Sequence, residues 1–259
     1  MKLKIFALVA VAALGALAVV GTASAVKVRV RAGDLILDAH GDFFPKALPK
    51  FVNAPIITEG GGKLSTVSGN LPPILDTFML EFDKHGAVDT TGLPVCTQAK
   101  LVATDVKAAR RACGPATVGT GFGKAIVKFP EQGPIPAGSP ITIFNGPKKG
   151  RNDTIIAHAY LDVPAPTTFI VPIVIEKINK GVYGYRVIVK IPKIAGGYGH
   201  PISGSARVGK KWVFKGKKHS YINARCETGH FQVRGEFSFK ETDELMKASF
   251  VFPCKVRNS

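Results

Sequence analysis

Arg207, Lys210, Lys211, Lys215, Lys217, Lys218 and His219 crowd around Trp212, Phe214 and Tyr221 in one short stretch of the chain. Ammonium and guanidinium groups gathered this way attract a polyanion, and an aromatic face beside them can stack on a sugar or a base. Trp212 is the only tryptophan. A strand that buries Trp212 and Phe214 and lines its edge with lysines has the same sequence and guards that edge against aggregation. Arg207, Lys210, Lys211, Trp212, Lys215, Lys217, Lys218 and Tyr221 are therefore the candidate binding residues, on a hairpin. A second basic cluster, Lys148-Lys149-Gly150-Arg151, reads as a solvated loop tip after the Asn145-Gly146-Pro147 turn.

Other constellations are weaker. Asp38, His40 and Asp42 alternate, so a strand would project all three from one face, and oxygen with imidazole ligands suits a divalent ion. His40-Gly41-Asp42 reads equally well as a turn, so no metal ligand is assigned and no cofactor is expected. Gly119 to Ala125 has the look of a phosphate loop, yet Val118 and Ala125 stand where that motif needs Gly and Ser or Thr. A glycine-rich turn entering a strand is expected there. Ser203, Ser205 and His200 have no nucleophile-elbow spacing. Glu81 and Asp83 share a strand face and Glu241, Asp243 and Glu244 crowd a turn, but glycoside hydrolysis needs two acids at a set separation across a cleft. No catalytic residue is named. His158, between Ile156 and Tyr160 in strand parity, reads as structural.

The elements that must position these groups are strands. Val26, Val28 and Val30 alternate with Lys27, Arg29 and Arg31; Phe231, Val233, Phe237 and Phe239 share a face, as do Tyr183, Tyr185, Val187, Val189 and Ile191. Phe169, Val171, Ile173 and Ile175 repeat the pattern, with Pro172 arguing for an edge or a bulge. Shorter strands are expected over 74–82, 124–129, 141–144 and 154–161. Turn signals separate them at Glu59-Gly60-Gly61-Gly62, Gly146-Pro147, Asn179-Lys180-Gly181, Gly196-Gly197 and Thr228-Gly229. One short helix fits, capped by Thr104 and running from Val106 to Ala112. The fold expected is all-β, an antiparallel, jelly-roll-like β-sandwich with one short helix and two disulfides, as a single domain over 26–259. The four cysteines pair most simply with their sequence neighbours, Cys96 with Cys113 and Cys226 with Cys254. Each such bridge stabilises by about 3 kcal/mol. Parity supports the second, since Cys226 and Cys254 fall on the apolar faces of their strands. No cysteine or histidine spacing suits zinc.

Gly92-Leu93-Pro94-Val95-Cys96, Ala109-Arg110-Arg111-Ala112-Cys113, Val118-Gly119-Thr120-Gly121, Phe144-Asn145-Gly146 and the Ser220 to Cys226 segment carry a likeness, as does the Phe-rich hairpin ending at Cys254. From about Pro72 onward the chain resembles a family of uncharacterised secreted bacterial proteins with two disulfides and no known activity. The resemblance implies secretion and a shared architecture, and no activity.

Residues 1–25 read as a cleaved secretory signal peptide. Lys2 and Lys4 precede an uncharged run from Ile5 to Val20, and Ala23-Ser24-Ala25 is an A-x-A site. The apolar run would span roughly 24 Å as a helix, short of the roughly 30 Å hydrocarbon core. No integral membrane segment is expected after cleavage, and the product is expected outside the cell or at its envelope. The full chain of 259 residues carries a formal charge of +17, from 35 Lys+Arg and 18 Asp+Glu. Without Lys2 and Lys4, 33 basic residues face 18 acidic ones, a net +15. In that compartment the charge points to an anionic cell-wall polymer or acidic polysaccharide more than to nucleic acid. The expectation is a secreted, non-enzymatic β-sandwich binding such polymers, with a glycan-active or other hydrolytic enzyme on the same scaffold as the alternative.

Overall fold

The computed structural model describes residues 25–240 and 242–257; the segment expected as a leader lies, up to residue 24, outside them, as does Glu241. The first part of the chain supplies β1 (Val26–Ala32), β2 (Leu35–Phe44), β3 (Ala47–Pro49), β4 (Ala54–Thr66), β5 (Leu75–Asp83) and β6 (Gly86–Val88). After α1 (Val106–Cys113) come β7 (Thr117–Val127), β8 (Ile135–Asn145), β9 (Asp153–Leu161), β10 (Thr167–Lys180), β11 (Tyr183–Lys190) and β12 (Gly199–Val208). The last third adds β13 (Lys211–Phe214), β14 (Lys217–Ser220), β15 (Ile222–Ala224), β16 (His230–Phe239), β17 (Leu245–Pro253) and β18 (Lys255–Arg257).

The expected all-β, antiparallel architecture with one short helix is present, and so are both disulfides, Cys96–Cys113 and Cys226–Cys254. Among the described residues fourteen strands belong to one sheet, whose path runs β1-β2-β4-β12-β7-β8-β9-β10-β11-β5-β16-β17, with β15 bridging β4 and β6. The sheet curls into a nearly closed, barrel-like form that brings β1 against β17 with no ladder between them. Its two ends pack face to face. Leu35 and Leu37 of β2 and Leu64 of β4 meet Phe231, Met246, Phe250 and Phe252 in one buried cluster, and Phe43 meets Phe231 edge to face at 5.1 Å. Each such side chain taken fully from water stabilises the fold by about 2 kcal/mol. Period two holds without a break along β17, where Met246, Ala248, Phe250 and Phe252 are buried and their neighbours exposed.

Two glycine runs depart from expectation. Gly60-Gly61-Gly62 is not a turn but the middle of β4, laddered to β2 and β12. Gly119 to Gly123 is not a turn entering a strand but the body of β7, laddered to β12 and β8. The reason is close approach. A Cβ on Gly61 would lie 2.6 Å from the Gly204 carbonyl oxygen, and one on Gly119 equally close to that of Arg207. Pro172 is paired on one side only, opposite Ile156 of β9, because the ladder of β10 with β11 begins at Ile175.

The helix cap also differs. Asp105, not Thr104, caps α1 by accepting the Ala108 N–H at 2.6 Å, while the Thr104 hydroxyl donates to the Leu101 carbonyl. Together with the loop closed by Cys96–Cys113, α1 lies on the outer face of β8 and β9, burying Phe144 and Ile156 against Leu101 and Ala109. Among the described residues no helix is long and apolar enough to cross a membrane.

Candidate functional site

The lysine-rich segment forms the hairpin expected of it. β13 and β14 pair in register with Trp212 opposite His219 and Phe214 opposite Lys217, joined by Lys215-Gly216. Both turn residues have positive φ (48° and 74°), the two-residue turn whose twist matches flanking strands. The face carrying Trp212, Phe214 and His219 is turned onto the protein. The Trp212 indole N–H donates to the Thr91 carbonyl at 3.0 Å, and the indole stacks on His219 with centroids 5.5 Å apart. His219 is held in turn by Asp89, 2.8 Å from its Nδ1. Burial raises the Asp89 pKa, but the bonds from His219 and Thr91 outweigh it and leave the carboxyl below its usual range. Phe214 lies so close to the Gly92 backbone that a Cβ there would strike the ring.

The structure thus divides the candidate residues. Tyr221 is a core side chain, 1% exposed and packed with Leu93, Val118 and Ile143, its phenol pKa raised by burial. Trp212 is half-buried and anchors the hairpin. Lys210 reaches the Pro115 carbonyl and is half-buried, which lowers its pKa. Arg207 points from the outer face of β12 to Glu59, 2.8 Å away. Lys211, Lys215, Lys217 and Lys218 are exposed, and none has a carboxylate partner among the described residues.

Asp38, His40 and Asp42 do project from one face of β2, as alternation requires, but they do not converge on an ion. Asp38 takes a two-pronged bond from Arg29 (Nε 2.5 Å, Nη2 3.0 Å), which holds its carboxyl below the usual range, while Asp42 is buried against Lys46. Among the described residues no group of three or more His, Cys, Asp or Glu side chains could hold a metal. Nor do Ser203, Ser205, His200, Glu81 and Asp83 converge, while Glu241 lies outside the described residues. His200 Nδ1 lies 2.8 Å from the Pro72 carbonyl, and Ser203 and Ser205 lie on the outer face of β12. Glu81 is fully buried between Arg186 and Arg234 of the flanking strands, and Asp83 accepts the His85 and Gln232 backbone N–H groups.

What the sequence did not reveal is how the outer face of β1, β2, β4, β12 and β7 is composed. Strand registers align Arg29, Asp38, Lys63, Ser203 and Lys124 in one cross-strand row. The next row is Lys27, His40, Gly61, Ser205 and Phe122. Two shallow troughs, of about 420 and 330 Å³, follow these rows and share Asp38 and His40. Comparison with protein-family models, curated proteins and solved structures returned no match. The site is therefore judged on its own chemistry. No single segment carries the rows; only the alternation around Lys27–Arg31 and Asp38–Asp42 marks its polar face.

Proposed function

We propose that the protein is a secreted, non-enzymatic polymer-binding protein that holds anionic polymers of the cell envelope or extracellular matrix through its basic surface. The observation that carries this reading is the β13–β14 hairpin. Its aromatic side is locked to the Thr90–Gly92 segment while Lys211, Lys215, Lys217 and Lys218 stand in solvent with no carboxylate ion pair among the described residues. An anchored hairpin loses little conformational freedom when a polyanion arrives, so less of the Coulomb attraction is offset. Two disulfides and a leader-like start support placing the protein in an oxidising compartment outside the cytoplasm. Its kinship with secreted bacterial proteins of the same disulfide count is part of the same proposal.

The test is chromatography of the folded chain on polyanionic and neutral resins. Strong retention on the polyanion alone, lost as salt shortens the Debye length from about 30 Å at 0.01 M to about 8 Å at physiological strength, is the expected result. The combined Lys211→Gln, Lys215→Gln, Lys217→Gln and Lys218→Gln variant elutes earlier. Equal retention on both resins, or retention indifferent to salt, overturns the reading.

A further inference from the structure

The hairpin accounts for charge but not for the composition of the two rows on the neighbouring sheet face, which mixes cations, hydroxyls, a fixed carboxylate and an outward aromatic ring. We propose that this face is a platform for an acidic polysaccharide, a chain of sugars bearing carboxylates, laid across β2, β4, β12 and β7. The inference rests on the anionic-polymer reading above and narrows the polymer to a carboxylated glycan.

Neighbouring strands are about 4.8 Å apart, so Lys63 and Lys124, separated by β12, stand about 9.6 Å apart at their backbones with Ser203 between them. Two ammonium groups at that interval meet carboxylates on alternating sugars of one chain, and the serine between them meets the hydroxyls of the intervening sugar. Lys27, Lys63 and Lys124 are exposed and have no carboxylate ion pair among the described residues. The floor is low because Gly61, Ser203, Ser205 and Gly138 present little or no side chain, while His40 and Phe122 border it.

Phe122 is the feature that separates a sugar from a bare polyanion. It is 41% exposed beside the charged and hydroxyl side chains of the two rows, and its ring lies over Gly138, where a Cβ would come within 3.2 Å of it. The ring is thus seated in part on the sheet and in part open to solvent. An electron-rich aromatic face takes the C–H side of a pyranose and offers nothing to a chain of phosphates. Asp38 argues the same way. With its charge offset by the two-pronged Arg29 bond, it can accept from a sugar hydroxyl, a donor that a chain of phosphates lacks.

Oligogalacturonate, polyphosphate and oligothymidylate titrated calorimetrically into the full chain at low salt test the assignment. Oligogalacturonate is expected to bind. Phe122→Ala should weaken that binding by about tenfold, the scale of one aromatic stack, and leave polyphosphate binding unchanged. Lys63→Gln with Lys124→Gln should weaken oligogalacturonate further. Should Phe122→Ala alter the thermal midpoint, Phe122→Leu, which keeps apolar volume and removes the ring, replaces it. Polyphosphate bound without oligogalacturonate overturns the sugar platform and leaves the polyanion reading standing; failure of all three probes to bind removes both. Oligogalacturonate binding indifferent to Phe122, or oligothymidylate bound more tightly with the same dependence on that ring, also overturns the proposal.

Discussion

Two buried groups show how single residues set the behaviour of the fold. The Tyr221 hydroxyl is buried with no hydrogen-bond partner among the described residues. An unpaired buried hydroxyl costs about 1–3 kcal/mol, so Tyr221→Phe should raise the urea midpoint or leave it unchanged. Tyr221→Ala, which empties the cluster with Leu93 and Ile143, should lose about 3–5 kcal/mol in the same measurement. His158 is fully buried, its Nε2 lying 3.0 Å from both the hydroxyl and the carbonyl oxygen of Thr104. Burial lowers its pKa, against the raising influence of the Thr104 carbonyl and Asp105. Folding then excludes a proton that the unfolded chain binds. Stability is complete above the unfolded value of about 6.5 and is lost as pH falls below it toward the lowered folded value. Urea unfolding between pH 7.5 and 5 should show that decline, and His158→Gln should flatten it.

At the scale of elements, the strands whose side chains alternate were legible in the sequence and those built on glycine were not. β1, β16 and β17 announce themselves because apolar side chains recur at alternate positions, interrupted only by Gly235, a parity that survives in their burial. β4 and β7 carry no such mark where Gly60-Gly61-Gly62 and Gly119, Gly121 and Gly123 remove the side chains that would report it, and glycine ordinarily weakens a strand. Here close approach of neighbouring backbones makes it necessary. Gly61→Val should therefore disrupt the β4–β12 ladder, seen as a drop of several degrees in thermal midpoint, whereas Gly69→Val, at a turn with open space but φ +79°, should cost less. The hairpin could be placed because its residues are contiguous. The platform could not, because Lys63, Ser203 and Lys124 meet only once β12 has been inserted between β4 and β7.

For the whole molecule, one disulfide fastens an outer layer and the other links the ends of two strands of the sheet. Cys96–Cys113 closes the layer that carries α1, and Cys226–Cys254 ties the segment after β15 to the end of β17. The sheet is held by ladders between strands distant in sequence, β5 with β16 and β4 with β12 among them, a topology that folds slowly. One place lacks such a ladder: β1 lies against β17 without hydrogen bonding to it. The molecule is therefore a clasp and not a hoop. It has a line along which it can part while every other pairing stays intact, and its amides should report that line. In deuterium exchange, β1, supported on one side by β2, should exchange well before β12, which is gripped by β4 and β7 on both sides.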